Sequence, residues 1–233
     1  MVLSVWRTKL PDNPMINSTG ASEVVPEQSR KVLVENRANR PNKFEERRKE
    51  LAVAALEALA EKGYANTSLR DIAAKSGFAL GTLHYYFADK VDLISYCTRN
   101  YKLEFINNFN ALIANATDID VLINDFVAYS VQSVAENNLT HRLWYDIKSQ
   151  CLFEDEFKGS VAEIDTLLAD MVNNLVIRAE KFTGKQAQLS GQRTYWMLDG
   201  FFQYFLRAFL SGDNKALENY RQEIKSFLDW LLA

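Results

Sequence analysis

The chain has 233 residues, 48% of them apolar and 24% charged, with a formal net charge of −3. Such a length and apolar content can bury a sizeable core in one large or two small domains, which excludes a fully disordered chain. Two cysteines, Cys97 and Cys151, form neither a disulfide framework nor a metal-ligand spacing and fit free thiols in a reducing cytoplasm.

No apolar run approaches the ~20 residues that span a bilayer, and the N-terminal stretch lacks the apolar core of a secretory signal. The charge is unevenly divided. Residues 1–102 hold 16 Lys and Arg against 12 Asp and Glu, whereas residues 103–233 hold 11 against 18. The basic excess is densest at Arg37, Arg40, Lys43, Arg47, Arg48 and Lys49. Alone, such a run reads as a solvated helix face; beside a DNA-reading motif it reads as a phosphate footprint.

In chain order, residues 1–41 mix Pro, Asn, Ser and charge without a sustained period and predict a disordered basic tail. Met15 is an alternative start, and the last part of the tail, with Arg37 and Arg40, could enter a minor groove as basic arms do; Arg40 and Lys43 are expected DNA contacts. A first helix is predicted from about Asn42 to Lys62, with Leu51, Ala54, Ala55, Ala58 and Leu59 as its apolar stripe, ended by Gly63. Asn66 or Thr67 is expected to cap the next helix, placing Thr67 and Ser68 near a DNA backbone.

Residues 67–90, TSLRDIAAKSGFALGTLHYYFADK, read as a helix, a tight turn and a short second helix. Ile72 and Ala73 form the inner face of the first helix. Gly77 stands at the turn, where a positive φ is cheap only for glycine. Phe78, Leu83 and Phe87 supply the apolar side of the turn and second helix. On that second helix Leu83 and Tyr86 are expected inward. Leu80, Gly81, Thr82 and Tyr85 are expected outward, where Leu80 can touch a thymine methyl and Thr82 a base edge. His84 and Tyr85 are better placed for phosphate, as is Lys90 in the first turn of a helix capped by Asp89.

Long helices come next, near residues 91–116, 118–137, 140–151, 157–183, 187–210 and 214–232. Catalysis finds no support: His84 and His141 lie far apart, no nucleophile elbow or glycine-rich phosphate loop is present, and Glu154-Asp155-Glu156 reads as a solvated loop. We therefore expect no enzyme, no metal site and no cofactor. An aromatic concentration around Phe126, Tyr129, Trp144, Tyr145, Trp196 and Phe202, with Asp199 as its lone carboxylate, suits a pocket for a small, partly apolar or cationic ligand.

The stretch TSLRDIA, with Gly77-Phe78, Gly81-Thr82-Leu83, Tyr85-Tyr86-Phe87, Lys90 and Leu93, resembles the DNA-binding end of TetR/AcrR-type transcriptional regulators. Three positions depart from that pattern: Ala79 stands where a capping serine is usual, His84 where a tyrosine is common, and Ala88 where a proline is common. The resemblance implies an all-α fold, with a three-helix reader at residues 42–88 and a helical ligand-binding and dimerisation domain at residues 89–233. It implies a bacterial, cytoplasmic, nucleoid-associated repressor, a homodimer on two-fold symmetric double-stranded DNA, released by a small-molecule inducer.

A reader helix of seven residues touches too few bases to select a site alone. Phe201, Phe205, Phe209, Tyr220, Phe227 and Trp230, on the last two helices, are the expected dimer contacts. The rival reading is a helical ligand-binding or catalytic protein whose basic region does not read DNA; it predicts no salt-dependent DNA binding.

Overall fold

The computed structural model describes residues 27–232, with side chains from Lys43 onward. Its regular elements are α1 (Glu27–Lys62), α2 (Leu69–Ser76), α3 (Leu80–Tyr86), α4 (Lys90–Asn115), α5 (Ile119–Gln150), a 3-10 turn (Asp155–Phe157), α6 (Lys158–Thr183), α7 (Gly191–Leu210) and α8 (Ala216–Leu231). No strand occurs among the described residues, so the fold is all-α.

The described residues fall into two compact units, one up to Leu51 and one from Ala52 onward. The first contains the start of α1, where Arg47 pairs with Glu50 at 2.5 Å. Helix α1 begins at Glu27, well before the expected Asn42. Pro41 reads as a boundary, yet a proline costs a helix one hydrogen bond and a local clash. The surrounding sequence, rich in Glu, Gln, Arg, Lys and Ala, favours helix on both sides. The tail expected to be disordered is therefore helical over residues 27–41, and residues 1–26 lie outside the described residues.

In the second unit α2 and α3 pack together, while α4 packs on α5 and α6, α7 lies between α6 and α8, and α8 returns to α5. The starts of α4, α5 and α7 are fixed locally by side-chain caps. Asp89 accepts from the amide of Asp92 at 2.8 Å, Asp118 from Val121 at 2.9 Å, and Ser190 from Arg193 at 3.5 Å. The two helices expected on either side of Asn137 are present and join end to end as α5, with a kink at Asn137, whose backbone leaves helical geometry (φ −117°, ψ 21°).

Among the described glycines, the closest approach of another helix is at Gly191, the first residue of α7. A Cβ there would lie 2.6 Å from Asn173 Cα and 2.4 Å from its Oδ1. The obstacle includes backbone, so α6 and α7 would have to separate. Gly191→Ala is expected to lower stability by about 1–3 kcal/mol in chemical denaturation, as overpacking does.

Candidate functional site

The helix-turn-helix is built on a capping box. Ser68 Oγ accepts from the Asp71 amide at 3.2 Å, while Asp71 Oδ2 accepts from the Ser68 amide at 2.9 Å. The Ser68 bonds, with Lys62 3.3 Å away, hold the Asp71 carboxyl down at about 2. Gly77 turns the chain at φ +72°. Buried Ile72, Ala73, Leu83 and Phe87 hold the two helices together. Ala79 offers no side-chain cap to α3.

On α3, Gly81, His84 and Tyr85 are exposed, Tyr85 to 72%. Leu80, Thr82 and Tyr86 are half-buried. Ser68 is exposed, but Thr67 is 2% exposed and donates its hydroxyl to the Gly63 carbonyl at 2.7 Å. Thr67 is thus a core turn residue and cannot present its side chain to DNA as expected; Ser68 is the cap. Lys90 Nζ lies 4.0 Å from the centre of the Tyr64 ring, and partial burial lowers its pKa. Lys43 is exposed in the first unit, and the Arg40 side chain lies outside the described residues.

Three side chains from α5 and the turn after it grip the beginning of the reader. Arg142 donates to the carbonyls of Ala60 and Glu61 (2.9 Å for Glu61), the last turn of α1, where a cation also meets the negative end of the helix dipole. Asp146 Oδ2 accepts from the Tyr64 amide at 2.7 Å, and Glu154 Oε2 from the Tyr64 hydroxyl at 2.7 Å. The Tyr64 ring packs edge-on to Phe157, and its hydroxyl pKa is pushed up to about 12, chiefly by burial.

A cavity of about 50 Å³ lies among α4, α5, α6, α7 and α8. Its walls include Phe105, Phe109, Phe126, Tyr145, Leu198 and Phe202, with Lys102 and Asp199 as its charged members. Of the residues expected there, Phe126, Tyr145, Asp199 and Phe202 line it. Tyr129 stands behind, edge-on to Phe109, and buried Trp144 lies outside the lining. Trp196 does not belong with them: although only three positions before Asp199 on α7, it is 62% exposed and outside the cavity lining.

Asp199 is not a lone carboxylate. It accepts from Tyr145 Oη at 2.8 Å and Lys148 Nζ at 3.0 Å, and Lys148 also reaches Asp165 at 3.1 Å, which accepts from Tyr195 Oη at 2.6 Å. Burial, with the Asp199 charge, keeps the Tyr145 and Tyr195 hydroxyls protonated. His141, fully buried, contacts Tyr101 Oη at 2.8 Å and Ser133 Oγ at 2.7 Å through Nε2. Burial first, and then the Lys102 charge, drives its pKa well below the usual value.

Lys102, Lys148, Asp165, Tyr195 and His141 were missed by sequence reasoning, although one signal was available. Thr98, Lys102, Phe105 and Phe109 recur at helical spacing, which places Lys102 on the apolar stripe of α4. Of the residues expected at a dimer interface, Trp230 is exposed and Phe201, Phe209 and Phe227 are half-buried. Phe205 and Tyr220 instead pack on each other at 5.4 Å and are buried within the protomer. They are core residues, not the interface contacts expected.

A capped helix, a glycine turn and a short exposed second helix, followed by a larger helical body, define a helix-turn-helix protein. Residues 51–97 match the family described as "Bacterial regulatory proteins, tetR family". The HTH-type transcriptional repressor KstR2 of Rhodococcus jostii is 24% identical over 116 residues, 50% of this chain and 52% of that protein. The match thus spans about half the length of that curated relative.

Among solved structures, a TetR transcription regulator from Haloarcula marismortui is similar with a TM-score of 0.69 at 20% identity, over 81% of this chain and all of that one. FadR from Bacillus subtilis, in complex with stearoyl-CoA, has a TM-score of 0.64 at 17% identity, over 77% and 96%. At these identities the likeness is one of fold. No helix among the described residues is long and apolar enough to cross a membrane.

Proposed function

We propose that this chain is a sequence-specific DNA-binding regulator of transcription, a homodimeric repressor that leaves its two-fold symmetric operator when a small molecule enters the cavity. The observation that carries the reading is the capped α2–turn–α3 unit, which leaves Gly81, His84 and Tyr85 exposed on a helix of the size a major groove admits. The naming of the similar Rhodococcus protein as a repressor supports repression. The ligand-bound FadR structure, of the same fold, supports a ligand in the helical body. The exposed aromatics of α7 and α8 support two copies.

Thr82 and Tyr85 on α3 and Lys90 at the start of α4 are the proposed contacts. Selection from a random DNA pool should enrich a palindromic site. Alanine at any of the three should then weaken binding by about 1–3 kcal/mol. Lys90→Ala should weaken all sequences alike and flatten the salt dependence by about one phosphate. Unchanged affinity in all three folded variants, measured by fluorescence anisotropy at fixed salt, would remove α3 from the interface.

A further inference from the structure

The cavity holds an unbalanced set of polar groups. Asp199, its carboxylate, is bonded to Tyr145 and Lys148, and nearby Asp165 to Lys148 and Tyr195. Lys102, its cation, has no such partner. It is 3% exposed, and among the described residues its hydrogen-bond contact is His141 Nδ1 at 3.4 Å, one long contact for three donors. The ammonium sits instead among ring faces, 4.9 Å from the centre of Phe105, 5.1 Å from Trp144 and 5.7 Å from Tyr101. The Trp144 indole N–H is also buried without an acceptor among the described residues.

Taking the cavity as the effector site proposed above, we infer that its ligands are small, largely apolar carboxylates whose carboxylate accepts from Lys102. The arrangement disfavours the cationic ligand that the aromatic content alone suggests. Phe105, the cavity ring among these three, already faces Lys102, and a second cation would meet a like charge in a medium of low dielectric. An arriving carboxylate gives a buried amine the partner it lacks, whereas the apolar walls accept the rest of the molecule. Desolvation outweighs the raising charge of Asp199 and holds Lys102 down at about 7, in accord with an amine to which no carboxylate among the described residues is hydrogen-bonded. The cavity is also far smaller than the roughly 300–1,000 Å³ of ordinary ligand sites, so entry requires the helices around it to part.

The test titrates the full-length chain with two matched sets: octanoate, octanol and octylamine, and 3-phenylpropanoate, 3-phenylpropanol and 3-phenylpropylamine. Tryptophan fluorescence and thermal stabilisation are the readouts. The carboxylate of at least one set should bind tenfold or more tightly than its alcohol and amine. Lys102→Met, close in volume and without the charge, should erase that preference while retaining affinity for the alcohol.

Should Lys102→Met not fold, the head-group order in the unaltered chain decides alone. Equal binding of the three heads, preference for the amine, or no saturable binding of either carboxylate overturns the inference, as does a preference that survives in folded Lys102→Met. DNA binding is measured separately without probes, so its failure sinks the regulator reading and leaves the titration legible.

Discussion

A chain in which Tyr204 and Trp230 are both replaced by glutamate is expected to stay folded, run as a monomer and bind its operator at least about a thousandfold more weakly. Both side chains are more than half exposed, Tyr204 to 59% and Trp230 to 53%, so their removal leaves the protomer's core intact. They border an apolar face on α7 and α8. Phe201 packs on Phe227 at 5.6 Å, Phe227 lies 5.9 Å from Trp230, and Trp196 and Met197 add exposed area on α7.

A patch of this kind marks an interaction surface, and a stable pair of chains buries about 1,200–2,000 Å² in all. Two glutamates per protomer would place four carboxylates in that contact, each costly to desolvate. A lone seven-residue α3 then contacts one half-site, and binding falls toward the non-specific level. Light scattering at micromolar concentration and anisotropy at constant salt check the two parts. A dimer with undiminished affinity would show that this face is not the contact.

Leu83→Ala should cost about 2–5 kcal/mol, the range for deleting a fully buried leucine. Leu83 is 0% exposed at the centre of α3. Its importance comes from how little else holds that helix: seven residues are too few to be stable alone, and Ala79 provides no cap bond. Packing against α2 must supply what length and capping do not. The loss is expected to be local, with faster amide exchange across α2 and α3, abolished DNA binding, and slow exchange retained in α4 to α8. Uniform destabilisation, or intact DNA binding, would contradict this account of the reader.

The reader was legible because its determinants are local. Gly77, the Ile72–Ala73 pair and Leu83 each act within a dozen residues. Even there one offset was misread: Ser68-Leu69-Arg70-Asp71 spells a capping box, while Thr67, chosen for its hydroxyl, turns that hydroxyl inward. The cavity was only partly legible, because aromatics at helical spacing say which residues are large but not which side of a helix meets four others. Trp196 and Asp199 are three positions apart on α7 and yet part company, and Phe205 and Tyr220 point into the protomer that Trp230 leaves. Lys102 was passed over because a lysine in a polar stretch, Tyr-Lys-Leu-Glu, ordinarily reaches water. Its burial depends on α5 and α7, distant in sequence.

The break at Asn137 gives the second half of α5 a mechanical character of its own. Residues 138–150 form a short rigid rod, pivoted at one end where the helical ladder is interrupted. Advancing about 100° per residue, the rod presents Tyr145 and Lys148 on one side and Arg142 and Asp146 on the neighbouring one. The first pair is bonded to the cavity wall through Asp199, and the second holds the end of α1 and the amide of Tyr64. Because a helix turn is stiff and its side chains travel with it, a displacement that spread the cavity would be delivered at the other side of the same rod as a tug on the reader, with α5 as a rocker arm.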